Sequence, residues 1–436
     1  MRHLAIFIVG LISLSSLVSC SITNSSLPVS AGVGADPTLP EPKQSLIPTV
    51  NIAPAVGWKA GDKPTAPDGM KVQAFASELD HPRWIYRLPN GDVLVAESNK
   101  QPKQAKSIRD VVMSKVMAAA GAGVPSADRI TLLRDANRDG IAELKTTFLE
   151  NLTSPIGMVL IGDKFYVANT DAVVVFPYQN GQQKITAKGK QIAALPAGKR
   201  NHHWTKGMIA SADGKKLFVS VGSNSDHGEN GMQEELNRAG ILQVDIATGK
   251  TSVFASGLRN PVGIDFDPDT GKLWTVVNER DQLGGDLVPD YLTSVKQGGF
   301  YGWPYTYYGD KLDPRVKPQR PDLAARSIKP DYALGSHTAP LGLTFAKGAK
   351  LGEKFSNGVF IGQHGSWNRK PRSGYKVIFV SFENGNPLSP PVEILSGFIN
   401  KDDNASGRPV GVEIDQEGAL LVADDVGNII WRVSKK

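Results

Sequence analysis

The stretch Gly257-Leu258-Arg259-Asn260-Pro261-Val262-Gly263-Ile264-Asp265-Phe266 decides the fold. It follows an apolar strand (Ser252-Val253-Phe254-Ala255-Ser256), turns through an Arg-Asn-Pro corner and enters another strand. The layout recurs along the chain, and each corner carries different polar residues. The other corners are Asp80-His81-Pro82-Arg83, Thr153-Ser154-Pro155, Asn201-His202-His203, Ser336-His337-Thr338-Ala339-Pro340 and Gly407-Arg408-Pro409.

After each corner come a strand, a turn and a second strand: Ile85 to Glu97, Ile156 to Ala168, Met208 to Ser220, Ile264 to Val276, Leu343 to Gly362 and Val412 to Ala423. Asn90-Gly91, Asp213-Gly214 and Glu417-Gly418 stand at the tips, where glycine accepts the positive φ of a hairpin turn. Six copies at a period of roughly fifty to eighty residues read as an all-β, six-bladed β-propeller. An early strand such as Lys71 to Ala76 then completes the last blade beside Asn428 to Val433 and closes the ring, which removes exposed sheet edges. All six corners then face one funnel, which collects His81, Arg83, His202, His203, Arg259, Asn260, His337 and Arg408. Four of the seven histidines lie at these corners.

The net charge of +6 over 436 residues is modest and suits an anionic small ligand. No basic run is interleaved with aromatics, so nucleic acid is excluded as a partner. Met1-Arg2-His3 is a short positive region, Leu4 to Val18 an apolar run, and Leu17-Val18-Ser19-Cys20 closes it with small residues before the one cysteine. A run of roughly fifteen residues is short of the ~20 that span a bilayer, so it reads as a signal peptide. The pattern resembles a bacterial lipobox, with an ordinary cleaved signal as the alternative. The expected organisation is a signal over 1–19, a lipidated Cys20 and Ser/Pro-rich tether over 20–67, and the propeller over 68–436. Ser21 is not the aspartate that argues for inner-membrane retention, so an outer-membrane anchor facing the periplasm is expected. Beyond Cys20 there is no thiol for a disulfide, a metal or a nucleophile.

A helix with basic flanks is expected at Ile108 to Ala122, inside an insertion over 99–128. It reads as a solvated decoration, a cap over the funnel or a membrane-facing patch. Asp135-Ala136-Asn137-Arg138-Asp139-Gly140 has oxygen ligands at alternate positions and glycine at the sixth, as a calcium loop begins. Thr146 stands where an EF-hand has glutamate, so Asp135, Asn137 and Asp139 form either a calcium-holding hairpin tip or an Asx-rich turn.

Gly257 to Gly263, Asn278-Glu279-Arg280-Asp281, Gly298-Gly299-Phe300-Tyr301-Gly302-Trp303-Pro304 and His364-Gly365-Ser366-Trp367-Asn368-Arg369 resemble the soluble quinoprotein sugar dehydrogenases. These are the glucose/sorbosone dehydrogenases that use pyrroloquinoline quinone (PQQ). The last of these pieces, the helical insertion and His203-Trp204-Thr205 point to the sorbosone-dehydrogenase-like branch. The resemblance covers about Met70 to Val433 and implies a six-bladed propeller with PQQ in its funnel.

It implies further that Arg259, Asn260 and Arg408 hold the cofactor, whose three carboxylates suit guanidinium forks. His203 would be the base that takes a sugar hydroxyl proton while hydride passes to the quinone. Ca²⁺ on the quinone oxygens would act as a Lewis acid, with the backbone carbonyls at Asp281 and Gln282 as its candidate ligands and Asp286 as another oxygen ligand nearby. The family's lysine over the cofactor has no clean counterpart, and Arg369 or the loop of His364 and Trp367 takes its place. The carboxylate that orients the family's base falls near Ser223, with Asp226 as the nearest substitute. Tyr301, Trp303 and Trp367 read as an apolar wall for a sugar face or as core aromatics. The activity implied is oxidation of an aldose or sorbosone-like hydroxyl or aldehyde, with a membrane quinone, a cytochrome or a dye as acceptor. The alternatives are a lipid-anchored propeller binding module that has lost PQQ, and a lactonase-type hydrolase, which needs converging carboxylates where this chain has cationic corners.

Overall fold

The computed structural model describes residues 25–43, 50–102, 108–388 and 390–436. Among the described residues six antiparallel blades follow one another, each built in sequence order from its innermost strand outward, and a separate hairpin of Thr306–Tyr308 and Lys311–Leu312 lies between the third and fourth strands of blade IV. The innermost strands of blades I to VI are Pro82–Arg87, Met158–Ile161, Met208–Ala210, Pro261–Phe266, Pro340–Phe345 and Pro409–Ile414. The expected all-β propeller is therefore the fold. Blade VI is completed by Met70–Ala76, which pairs antiparallel with Ile429–Lys435. Chain segments from opposite ends of the propeller thus share one sheet.

Burial explains why so many strands lack an alternating pattern. Val93–Glu97, Leu273–Val277, Gly358–Gln363 and Leu420–Asp424 are buried at every position, because a neighbouring blade covers each face. The apolar side chains sort into separate cores, one in each seam between blades. The closing seam packs Ile85, Val93 and Val95 of blade I against Val410, Leu421 and Ile430 of blade VI. Each such side chain contributes about 1.5–3 kcal/mol on burial.

Near the axis a repeated glycine lets adjacent blades approach. A Cβ on Gly207, Gly263, Gly342 or Gly411 would stand 2.1–2.8 Å from a backbone oxygen of the next blade. Only a residue without a side chain fits there.

Two kinds of connection meet at the corner end of the ring. One is the corner into each inner strand, and the other is the loop from each second strand to its third. The helix Ile108–Ala119 lies in the second kind of loop in blade I. The Ala119 carbonyl accepts from Ala55 N at 2.8 Å, which ties the insertion to the preceding segment.

That segment is more than the expected tether. Val33–Gly34 pairs with Tyr332–Ser336 on the outer edge of blade IV. Asn51 N donates to the Trp367 carbonyl at 2.7 Å, and Val56 N to the Ala405 carbonyl at 2.9 Å. Trp58 Nε1 donates to Asp424 at 2.7 Å. The leader therefore runs along blades IV, V and VI before its strand closes the ring. Composition alone concealed this, because its contacts are mostly made by backbone groups. The expected signal peptide and Cys20 lie outside the described residues.

Candidate functional site

The corners converge at one mouth with the second-strand loops between them. Asp425, directly after the second strand of blade VI, is the centre of one cluster. Its carboxylate meets Arg83 Nη1 in an ion pair and His364 Nε2 at 2.9 Å. His81 Nδ1 lies 3.0 Å from the Asp425 carbonyl and its Nε2 3.5 Å from the carboxylate. Burial opposes the charge on Asp425, but His364, His81 and Arg83 outweigh it and hold the carboxyl well below its usual range. Burial takes His364 the other way, down to about 4 despite Asp425 beside it. A neutral His364 donates its Nε2–H to the carboxylate and keeps the Nδ1 lone pair free.

Arg408 completes this side. Its guanidinium lies 5.0 Å over the Tyr375 ring and donates to the Tyr375 hydroxyl at 2.9 Å. Nε of Arg408 and Nε of Arg83 are buried with no hydrogen-bond partner. Unpaired buried donors of this kind cost stability unless a ligand meets them.

His203 stands across the mouth, and Arg83 connects the two sides, with its guanidinium 5.8 Å from the ring of neighbouring Trp204. His203 Nδ1 lies 2.8 Å from the Ser223 carbonyl and 3.1 Å from its hydroxyl. A carbonyl only accepts, so Nδ1 carries the proton and Nε2 the lone pair. The edge of His202 packs on His203 with ring centroids 4.6 Å apart. Burial, then His202 and Arg259, hold the His203 pKa well below its ordinary value. Ser223 thus occupies the place expected of an orienting carboxylate, and it orients with a carbonyl and a hydroxyl instead.

Asp226 does not substitute for that carboxylate. It accepts from Arg259 Nη2 at 2.8 Å and from Asp281 N at 2.9 Å, and lies 3.4 Å from Arg280. Burial opposes its charge, and Arg259 foremost outweighs burial, so its pKa is driven down. Arg259 also donates to the carbonyls of Asp226, Asn278 and Glu279. The expected cofactor residue Arg259 is thereby committed to the wall. Asn260 beside it keeps a buried Oδ1 with no partner. A Cβ on Gly222 would stand 2.2 Å from that oxygen and 2.5 Å from His203 Cβ, so Gly222 lets the two side chains meet.

The side chains of the expected calcium residues Asp281, Gln282 and Asp286 are each taken by protein groups, and the Asp281 carbonyl accepts from Arg280 Nε at 2.9 Å and Nη2 at 2.7 Å. Asp281 accepts from Asn368 at 2.7 Å and lies 3.3 Å from His337 Nδ1. Gln282 is taken by Arg315. Asp286 accepts from Ser26 N and Ser26 Oγ, each at 2.7 Å. Arg369 is likewise corrected as a cofactor residue. It is fully buried and donates to the carbonyls of Gly285, Pro371 and Leu27. A guanidinium surrounded by acceptors holds the leader to the mouth rather than an anion.

His337 faces burial, which favours its neutral form, but Asp281 outweighs this and raises its pKa. Trp367 is half-buried at the rim, whereas Tyr301 and Trp303 are buried. Trp303 Nε1 donates to the Asp226 carbonyl at 3.0 Å, so Trp303 is part of the wall.

At the opposite end of blade I, Asp135, Asp139 and Glu143 bring carboxylate oxygens within 4.8 Å of one another. Asn137 turns its Oδ1 to Asp139 N at 2.8 Å. One Asp135 oxygen is buried without a partner.

Asp425 and Tyr375 were missed because the sequence reading took up second-strand loops in blades III, IV and V and did not extend them to blade VI. Asp425 directly follows a second strand, at the position of His364 in blade V and one residue before that of Ser223 in blade III. That register was the available signal.

Residues 60–430 match the family model described as "Domain of unknown function (DUF7133)". A protein of Borreliella burgdorferi described as uncharacterized is 29% identical over 299 residues, 66% of this chain and 77% of that protein. A pyrroloquinoline quinone-dependent pyranose dehydrogenase of Coprinopsis cinerea is 29% identical over 304 residues, 55% of this chain and 41% of that protein. The solved holo form of the PQQ domain of the Coprinopsis cinerea pyranose dehydrogenase superposes with a TM-score of 0.69 at 20% identity, covering 88% of this chain and 100% of that one. That likeness shows a shared propeller fold. The family match spans every funnel residue from His81 to Asp425, and the chain belongs to the DUF7133 family.

Proposed function

We propose that this protein is an exported, lipid-anchored quinoprotein that oxidises a sugar hydroxyl or aldehyde in the propeller funnel. The observation that carries the reading is the pair of buried guanidiniums, Arg83 and Arg408, each with an unpartnered Nε, beside two imidazoles held neutral. The funnel offers more cationic donors than Asp425 neutralises, and the tricarboxylate PQQ matches that surplus. The distant relationship to sugar dehydrogenases supports the same choice. When bound, PQQ supplies the ortho-quinone that accepts hydride.

The chain's own residues supply the rest. Arg408 and Arg83 hold carboxylates and Asn260 adds an amide. His203, with Nδ1–H on Ser223, takes the hydroxyl proton at Nε2. His364, with Nε2–H on Asp425, presents Nδ1 as a second acceptor. A calcium ion on the cofactor would have to displace Arg280 from the Asp281 carbonyl, and Asn368, Arg315 and Ser26 from the side chains of Asp281, Gln282 and Asp286. The hairpin tip of Asp135, Asp139 and Glu143 is the candidate calcium position, with a structural role.

The commitment of Arg259 and Arg369 to protein acceptors favours the second reading, a propeller that binds a partner and performs no oxidation. The test is to add PQQ and Ca²⁺ to the full chain and follow the quinone absorbance while titrating aldoses. Bleaching by a sugar that His203→Ala abolishes supports the dehydrogenase. Failure of PQQ to bind at micromolar concentration sinks it and leaves the binding module.

A further inference from the structure

We propose that the funnel mouth is the membrane-facing surface of this protein, seated on the lipid headgroup layer. This rests on the lipid-anchor reading of Cys20 and adds the orientation of the propeller on that anchor.

The leader meets the propeller at the mouth. Ser25 N donates to the Lys370 carbonyl at 2.9 Å. Ser26 is bound by Asp286, and the Leu27 carbonyl by Arg369. Asp286 and Lys370 belong to the second-strand loops of blades IV and V, on the side where the corners converge. Four residues separate Cys20 from Ser25, and the five Cα-to-Cα steps between them reach at most about 18 Å when extended. An acyl anchor at Cys20 therefore keeps these mouth loops within that distance of the bilayer. The opposite end of the ring lies a further strand length away, roughly 17–20 Å.

A second observation is independent of the leader's length. Large apolar side chains are exposed on the same rim: Val56 at 55%, Met117 at 37%, Val124 at 44%, Met232 at 47% and Leu236 at 69%. Val56 belongs to the leader, Met117 and Val124 to the insertion of blade I, and Met232 and Leu236 to the second-strand loop of blade III. At the far end Ile141 and Leu388 are exposed on separate turns of different blades. Exposed Lys43, Lys115, Lys199 and Lys370 accompany the rim, and such side chains suit headgroup phosphates. Exposed Glu41, Glu229 and Glu234 lie there too, so the apolar side chains and the short reach carry the argument, not net charge. In this pose a lipid-dissolved quinone approaches the funnel from the bilayer side, and a folded cytochrome is kept from it.

The test uses the full acylated chain in vesicles of phosphatidylethanolamine and phosphatidylglycerol. Acylation consumes the only native thiol, so a second cysteine labels selectively. Met232→Cys and Leu236→Cys report on the mouth, and Ile141→Cys and Leu388→Cys on the far end. Each carries a bimane, and the vesicles contain a lipid with a nitroxide on its headgroup. The expected result is loss of fluorescence at 232 and 236 and its retention at 141 and 388. Equal fluorescence at all four positions on vesicle-bound, acylated protein overturns the orientation and leaves the anchor standing. A Cys20 peptide whose mass carries no acyl group overturns the anchor, and the orientation with it.

Discussion

His364 Nε2 stands 2.9 Å from the Asp425 carboxylate, and the same carboxylate pairs with the buried guanidinium of Arg83. One acid thus fixes the tautomer of an imidazole and neutralises a cation on the adjoining blade. Replacing Asp425 by Asn leaves Arg83 buried and uncompensated. The expected cost is about 3–5 kcal/mol, the range for breaking a buried pair from one side. Denaturant unfolding of the Asp425→Asn variant checks it; a change below ~1 kcal/mol shows that solvent already screens Arg83.

The pH dependence follows from the same imidazole. His364 is held to about 4 in the folded protein, against 6.5 unperturbed. Between those values the unfolded chain takes up a proton that the folded chain refuses, so stability falls as pH drops from about 6.5 to 4. His364→Gln keeps a donor for Asp425 and removes the titration. The stability difference between wild type and this variant is expected to move against the wild type across that window, by at most about 3 kcal/mol. Urea midpoints at several pH values measure it, and a constant difference refutes it.

Arg408 offers a buried Nε without a partner, so its replacement mainly affects a bound anion. Arg408→Met is expected to weaken PQQ binding by about tenfold to a hundredfold, the equivalent of one charge-assisted hydrogen bond. Arg369→Met is expected to destabilise the leader's attachment and to leave PQQ affinity less changed. Titration of PQQ absorbance, with circular dichroism to confirm folding, separates the two. Equal losses of affinity would return Arg369 to the cofactor site.

At the hairpin tip, Asp135, Asp139 and Glu143 repel one another unless a cation intervenes. Added Ca²⁺ is expected to raise the melting temperature, and chelation or Asp139→Asn to abolish the rise. An unchanged melting temperature in saturating Ca²⁺ makes the tip a plain Asx-rich turn.

The fold was legible because its period is written twice, in the hairpin turns and in the polar corners. Closure by Met70–Ala76 was legible as well, since blade VI was one strand short. The leader's path was not. Ser25, Leu27, Asn51 and Val56 bind through backbone groups that every residue but proline offers, and Asn51 alone of these adds its side chain, to the Arg369 carbonyl. The site was half legible for a related reason. Corner residues such as His203 and Arg408 could be placed by register, but the vocation of each guanidinium is set by its partners. Arg259 and Arg369 look like anion binders in sequence, and folding surrounds both with protein acceptors. Asp425, which settles the roles of Arg83 and His364, comes from another blade far along the chain.

The shared sheet of blade VI fixes an order of events during folding. Met70–Ala76 is made early and has no partner until Ile429–Lys435 has been synthesised. Until then an apolar strand and both faces of the closing seam stay open, and the loop to be closed spans nearly the whole propeller. Contacts so distant in sequence make for slow folding. A nascent chain therefore cannot close the ring while its last strand is still on the ribosome or in transit across a membrane. Under the export proposed above this delay is useful, because it keeps the chain threadable until it has crossed.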